Sequence, residues 1–327
     1  MTKPLVSICI PAYNGAAFIG ETLESVIAQS YRNVEILVGN NCSTDATGEI
    51  VDSFSARDPR VVHVRHEKNL GYVGNLNTLF AMAKGEYVAF YHADDVYHPA
   101  LVQKEVEILE GNAEVGAVFC KAKNFCDDLE QARRCKQRFL KPGGAMKQGD
   151  GYLWGGMDAF LPIFLREGNF IVCSSFMTRR GALERAGLWS DAYVGPEDLN
   201  LWLRYLKNGL PLAVITDYLI YYRKHSASGT ASLRAISPGF QRDNHFRLMD
   251  DFIGENPTAA PAHHLRAYRK RKAKIMLKVA GAYREMGDAA NYREYVERSV
   301  QSFRLPLLTK RGLVQRFPQL AFRLGMP

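Results

Sequence analysis

Short unbroken apolar runs at residues 5–10, 34–39 and 61–65 are separated by stretches whose apolar positions recur every three or four residues. The runs have the length of buried strands, and the spaced stretches have the period of amphipathic helices. Phe18, Leu23, Val26 and Ile27 form the stripe of a first helix, and Asp45 opens a capped second one over residues 45–54. The order β-α-β-α-β predicts a parallel sheet covered by helices, with ligands in the crevice at the carboxyl ends of its strands. Polar residues just after each strand are therefore the first place to look for chemistry. A further helix over 75–83 leads into an apolar run at 87–91, which ends in His92-Ala93-Asp94-Asp95 and so sets two carboxylates at a strand end.

The later chain continues with a strand at 117–121 and then a Lys/Gly-rich segment, 136–156, whose weak periodicity predicts a mobile loop. Order returns at 170–178 and in a short helix at 182–186. A helix then starts at Pro196-Glu197-Asp198 with Leu199, Trp202, Leu203 and Leu206 as its core stripe, and a strand at 218–222 runs into Arg223-Lys224-His225. From about residue 237 the pattern is helical throughout, with long stretches at 263–286 and 289–303. The expected architecture is α/β: a Rossmann-like, mostly parallel sheet flanked by helices over residues 1–230, followed by a helical C-terminal extension over 231–327.

Composition narrows this picture. With 327 residues and 47% hydrophobic content the chain can bury one large core or two moderate ones. No apolar stretch approaches the ~18 residues that a membrane-spanning helix needs, and the start lacks the basic n-region and cleavage site of a secretory signal. A cytoplasmic chain is expected. Six cysteines without a Cys-x-x-Cys pair suggest neither zinc nor a disulfide framework. The net charge of +8 is uneven: residues 231–327 carry 18 Lys/Arg against 8 Asp/Glu, leaving 24 and 26 of the whole-chain totals of 42 and 34 for the rest. A basic appendage of this kind suits an anionic surface. The mixed basic and apolar stretches at 266–278 and 304–323 favour peripheral contact with the cytoplasmic face of a membrane over nucleic acid, with a solvated helical face as the equal alternative.

Seven pieces, in order, resemble the large family 2 of glycosyltransferases with the GT-A fold: residues 6–14 (Val-Ser-Ile-Cys-Ile-Pro-Ala-Tyr-Asn), Ser43-Thr44-Asp45, Asn69-Leu70-Gly71, Gly85-Glu86-Tyr87, Ala93-Asp94-Asp95, residues 197–204 beginning Glu197-Asp198, and Tyr222-Arg223-Lys224-His225. The resemblance covers roughly residues 3–230 and makes their Rossmann-like sheet nucleotide-binding. It implies an inverting transferase that moves a sugar from a nucleotide diphosphate to a hydroxyl, with a glycan or lipid-linked glycan in cell-surface polysaccharide synthesis as acceptor. It also implies a divalent cation, Mn2+ or Mg2+, held by Asp94 and His225 to neutralise the leaving pyrophosphate. Asp198 becomes the base that deprotonates the acceptor. The donor is expected against Pro11, Ala12, Tyr13, Asn14, Asn40, His92, Ala93, Asp94 and Asp95, with a UDP-sugar favoured.

Four positions depart from the usual pattern: His92 stands where an acid is common, Asn40 where an aspartate meets uracil, Leu76 where an arginine is frequent, and Asn200 where a further acid follows the base. Asn40-Asn41 can equally be read as turn-shaping residues. Trp154, Trp189 and Tyr193 are candidates for stacking on sugar faces, with core packing as the alternative, and residues 136–156 for a lid. A nucleotidyltransferase would show a Gly-rich loop after the first strand, and a dehydrogenase a Gly-x-Gly-x-x-Gly; neither is present. The rival from another class is a noncatalytic protein with a degenerate enzyme domain and a basic, partner-binding tail.

Overall fold

The computed structural model describes residues 3–125, 145–303 and 310–323. Its strands are β1 (Val6–Ala12), β2 (Val34–Asn40), β3 (Val61–Arg65), β4 (Tyr87–Phe90), β5 (Val96–Tyr97), β6 (Ala117–Phe125), β7 (Lys147–Gly149), β8 (Tyr152–Gly155), β9 (Phe176–Arg179) and β10 (Leu212–Arg223). They form one sheet in the order β3-β2-β1-β4-β9-β6-β10-β8-β7, with β5 paired to β10. Pairings among β3, β2, β1 and β4 are parallel, as is β6 with β10, whereas β9 runs antiparallel to both of its neighbours. Val6, Ile8, Cys9 and Ile10 are fully buried on both faces of the sheet, the condition under which a strand reads as a continuous apolar run rather than an alternating one.

Two compact units divide the chain. The first comprises Met1–Phe160, Asn169–Asp191 and Glu197–His225, and the second Leu161–Gly168, Ala192–Pro196 and Ser226–Pro327. In chain order the helices are α1 (Ile19–Ile27), α2 (Thr47–Arg57), α3 (Gly71–Met82), α4 (Leu101–Gly111), α5 (Met157–Glu167), α6 (Arg180–Ala186) and α7 (Glu197–Lys207). The second unit adds α8 (Gly229–Ile236), α9 (Phe240–Glu255), α10 (Ala262–Glu285), α11 (Ala289–Ser302), α12 (Lys310–Arg316) and α13 (Pro318–Arg323). No helix among the described residues is long and apolar enough to cross a membrane.

Two cores hold the first unit. On one side of the sheet α1 contributes Ile19, Leu23 and Val26 to a cluster with Ile8, Ile36 and Val38. Elsewhere an aromatic cluster joins α7 to the sheet: Trp202 meets Phe119 at 4.6 Å and Phe176 at 4.7 Å between ring centroids, and Trp189 at 6.0 Å, all three in tilted, edge-on arrangements. Aromatic burial of this size is the largest single contribution a side chain makes to a core, and here it fixes the helix whose first turn carries Glu197 and Asp198.

The expected loop at 136–156 is corrected in part. Residues 136–144 lie outside the described ones, but β7 and β8 form a hairpin whose second strand pairs antiparallel with β10. The turn is Asp150-Gly151, with Gly151 at φ 74°, a conformation that glycine adopts without penalty. Tyr152, Leu153 and Trp154 are too short a run for their strand character to outweigh the flanking glycines in the sequence pattern. Trp154 is buried, with the Lys147 ammonium 4.1 Å from its ring centroid, and Trp189 is buried in the aromatic cluster. Neither is available to stack on a sugar. The final strand is also longer than expected, because residues 212–215 pair with β6 before a register shift that ends at Ile220.

Candidate active site

The first strand delivers Pro11 and Ala12 to the carboxyl edge of the sheet, and Tyr13 beyond them is 53% exposed. Asn14 takes a left-handed conformation, φ 49°, which asparagine tolerates better than most residues. The turn is pinned to the residues after β2: Asn14 N–H donates to Ser43 Oγ (3.0 Å), Gly15 N–H to Thr47 Oγ1 (2.8 Å) and Ala16 N–H to Asp45 Oδ2 (3.0 Å), while Asn14 Oδ1 accepts from Thr44 N–H (2.8 Å). Despite its desolvation, the bonds from Thr47 and from Ala16 N–H hold the Asp45 carboxyl below the ordinary carboxylate range. Asp45 thus ties two strand-end loops together.

Asn40 is buried, and its side-chain oxygen accepts from Ser43 N–H at 3.0 Å. Its neighbour Asn41 donates to Asn69 Oδ1 and Gly71 O and accepts from Leu70 N–H. Both asparagines therefore shape turns, and any base contact by Asn40 falls chiefly to its amide nitrogen. Asn75 and Asn77 do comparable work: Asn75 donates to Gly39 O (2.7 Å), and Asn77 exchanges two bonds with the Trp189 main chain.

At the end of β4, ligand atoms of His92, Asp94 and Asp95 lie within 4.8 Å of one another. His225, just past β10, brings Nε2 to 3.0 Å from Asp94 Oδ2, and the Phe18 ring stands against its imidazole with centroids 4.4 Å apart. Arg223 N–H donates to Asp95 Oδ1 (2.9 Å) and its Nε to the Asp94 carbonyl (3.0 Å), while its Nη2 pairs with Glu21. Thr22 Oγ1 donates to the Asp95 carbonyl at 2.8 Å. Tyr97 closes the turn from below, its hydroxyl accepting from His92 N–H (2.7 Å) and donating to His92 O (3.2 Å). The loop is thus held through its main chain and through Asp95 Oδ1.

The electrostatics are those of a crowded acidic recess. Burial and the adjacent Asp94 charge push the Asp95 carboxyl well above its ordinary value, against the pull of Arg223. Burial lowers the His92 imidazole and so favours its neutral form, which can ligate a metal, although Asp94 pulls the other way. Asp95 Oδ2 and His225 Nδ1 are buried without a hydrogen-bond partner among the described residues. Unpaired buried acceptors beside clustered carboxylates are costly without a counter-charge. Oxygen and imidazole donors this close fit a divalent ion such as Mn2+ or Mg2+.

Asp198 opens α7. Its Oδ1 accepts from Leu199 N–H (2.6 Å) and its Oδ2 from Asn169 Nδ2 (2.7 Å). Desolvation, aided by Glu197, raises its carboxyl to about 7 in spite of those two donors, although the side chain keeps partial access to solvent. Beside the strand-end cluster stand Tyr72 and Cys173. Tyr72 OH is 3.1 Å from His92 Nε2 and 3.8 Å from Cys173 Sγ. The Cys173 thiol is pushed up chiefly by burial, with Asp198, Glu197 and Asp95 all adding to the rise.

Residues 7–185, more than half of the chain, match the family model described as glycosyl transferase family 2. The chain belongs to that family. An Escherichia coli relative named as the UDP-Glc:alpha-D-GlcNAc-diphosphoundecaprenol beta-1,3-glucosyltransferase WfaP is 28% identical to this glycosyltransferase over 70% of its chain and 80% of its own. An uncharacterised glycosyltransferase of Rickettsia typhi is 30% identical over 70% and 66%. A 37% match to an uncharacterised Haemophilus influenzae glycosyltransferase spans only 36% of that protein's length. Among solved structures, Staphylococcus aureus TarS 1–349 with UDP-GlcNAc superposes over 98% of this chain and 87% of its own, with TM-score 0.63 and 16% identity. The Pyrobaculum calidifontis mannosyltransferase PcManGT, solved with GDP-Man and Mn2+, gives TM-score 0.53 at 18% identity. The fold is accordingly GT-A: a mixed, mostly parallel sheet flanked by helices, with a helical C-terminal region.

Sequence reading of the glycosyltransferase misses Tyr72, Tyr97, Ser174 and Arg223 as parts of the site. Arg223 stands out in the sequence only as a neighbour of His225, and nothing in the spacing of Tyr72 or Cys173 marks them. Their proximity to the acids is created by the 3-10 turn Cys173–Ser175 meeting β4 and by Tyr72, at the start of α3, reaching His92. Tyr193, a candidate for sugar stacking, belongs to the second unit, where its hydroxyl donates to Asp251 at 2.8 Å.

Proposed function

We propose that this glycosyltransferase is inverting and cation-dependent, transferring a sugar from a nucleotide diphosphate, with UDP-sugars favoured, to a hydroxyl of a glycan or lipid-linked glycan in cell-surface polysaccharide synthesis. One observation carries the reading: His225 Nε2 lies 3.0 Å from Asp94 Oδ2, at a strand end where ligand atoms of His92, Asp94 and Asp95 fall within 4.8 Å of one another, as the cation site of a departing diphosphate requires. Asp94, with His92, Asp95 and His225 around it, would hold the divalent ion. When bound, that ion supplies Lewis-acid neutralisation of the departing diphosphate.

The chain's own groups do the rest. The exposed Tyr13 and the main chain of Pro11 to Asn14 offer a platform for the nucleoside. Asp198 Oδ accepts the acceptor's hydroxyl proton as the new glycosidic bond forms on the face opposite the leaving group, which inverts the anomeric carbon. A carboxyl raised to about 7 is a stronger base than an ordinary aspartate and remains ionised in an adequate fraction at neutral pH. Asn169 and Leu199 N–H keep its two oxygens in place.

The E. coli relative's name carries UDP-Glc, and TarS was solved with UDP-GlcNAc; both support a uridine donor. The test is a thermal-shift screen of UDP-Glc, UDP-GlcNAc and GDP-Man with and without Mn2+, followed by product analysis by NMR. A donor-specific rise in melting temperature that needs Mn2+ and disappears in Asp94→Asn is expected, together with an inverted product. A flat screen would favour the noncatalytic reading, and retention at the anomeric carbon would remove Asp198 from its role.

A further inference from the structure

Helix α10 in the second unit contains eight Lys/Arg and a single acid, Glu285, at its last position. Four of its cations, Arg266, Lys270, Lys274 and Lys278, follow one another at intervals of four residues. On an α-helix such residues are surface neighbours, 5–6 Å apart between Cβ atoms. They form a row about 18 Å long at 1.5 Å rise per residue. Arg266, Lys270 and Lys278 are exposed and Lys274 is half-buried. Like charges in that register weaken a helix, so an uncompensated row carries a cost to the folded chain.

The four aspartates of the unit are committed elsewhere. Asp243 pairs with Arg298 (2.6 Å) and Tyr295, Asp250 with Lys272 and Tyr268, Asp251 with Tyr193, and Asp288 caps α11 through Asn291. Among the described residues no carboxylate pairs with any of the four cations of the row. The same unit also presents apolar side chains to water beside cations: Leu313 is 41% and Phe317 50% exposed, next to the exposed Arg311 and Arg316. Exposed cations interleaved with exposed apolar residues match a bilayer interface, where the cations meet lipid phosphates and the apolar groups leave water. Single-stranded nucleic acid would call for aromatic platforms, but both tyrosines of α10, Tyr268 and Tyr283, are buried.

We propose that the α10 row and the Leu313–Phe317 segment bind the surface of an anionic phospholipid bilayer. This inference is independent of the catalytic reading, since it concerns where the protein resides and not what it transfers. Each lysine or arginine near an anionic surface strengthens partitioning about fivefold, and the effect fades as salt shortens the Debye length.

The test is co-sedimentation of the full chain with vesicles of phosphatidylcholine alone and of phosphatidylcholine with 30% phosphatidylglycerol, about a third anionic lipid as in ordinary charged membranes. Binding to the anionic vesicles only, weakened by salt, is expected. The R266Q/K270Q/K274Q/K278Q variant should lose roughly two to three orders of magnitude of partitioning while keeping the wild-type circular dichroism spectrum. L313S/F317S should lose binding that remains at high salt. The idea is overturned by equal binding to neutral vesicles, by wild-type binding in the folded quadruple variant, or by a single-stranded oligonucleotide that binds more tightly than the vesicles. A chain that binds vesicles but no sugar nucleotide would sink the catalytic reading alone; a competent transferase indifferent to vesicles would sink this one alone.

Discussion

Replacing Asp198 with Asn should abolish most of the catalysis while making the protein relatively more stable as pH rises. Burial raises the Asp198 carboxyl from the ordinary 3.8 to about 7. A folded-state value above the unfolded one means that the native protein holds a proton which the unfolded chain has released, so wild-type stability falls between about pH 4 and pH 7 and is flat above. A roughly thousandfold difference in proton affinity between the two states sets a ceiling of about 4 kcal/mol. Of this, roughly 2.5 kcal/mol is lost between pH 5 and pH 8, and about 1 kcal/mol is the realistic figure once water at a partly exposed carboxylate is allowed for. The Asp198→Asn variant lacks this loss. Its amide can still accept from Leu199 N–H, but it turns an NH2 towards the Asn169 Nδ2 that donates to the native carboxylate, costing about 1 kcal/mol at every pH.

Urea denaturation of both proteins at pH 5 and pH 8 separates the two contributions. The variant's stability relative to wild type should improve by about 1 kcal/mol from the lower pH to the higher. In parallel, kcat should fall by about 10²- to 10⁴-fold with donor KM little changed, and wild-type kcat should rise with pH through about 7 as Asp198 ionises. A stability difference that does not move with pH would refute the raised carboxyl. Unchanged kcat would refute the base.

Tyr97→Phe should leave the His92 N–H and C=O without their partner, costing about 1–3 kcal/mol. It should also raise the Mn2+ concentration needed for half-maximal transfer while leaving kcat recoverable at high Mn2+; failure to recover would give Tyr97 a direct role. Trp202→Ala empties the centre of the aromatic cluster and should cost about 3–5 kcal/mol in urea denaturation, and a smaller loss would mean that the cluster collapses to fill the hole.

Much of the first unit is legible without coordinates because its information is local. Strands β1, β2 and β3 announce themselves as apolar runs, and α7 by the stripe at Leu199, Trp202, Leu203 and Leu206. The strand-end position of Asp94 follows directly from the run that precedes it. The hairpin at 147–155 is less legible, because the Gly-rich composition around it speaks for a loop and its pairing partner, β10, lies some sixty residues away.

Local periodicity and motif order therefore determined most element types and the family, and marked the acids as candidates. Tertiary contact decided the rest: that Asn40 would use its oxygen on Ser43, that Trp154 and Trp189 would be core, and that His225 would reach Asp94 across 131 residues of chain. Hydrogen bonds and desolvation depend on distances between segments remote in sequence, and no window of neighbouring residues contains them. The raised carboxyl of Asp198 is such a quantity, set by its burial at the start of α7 against the opposing hydrogen bond from Asn169, and absent from the unfolded chain.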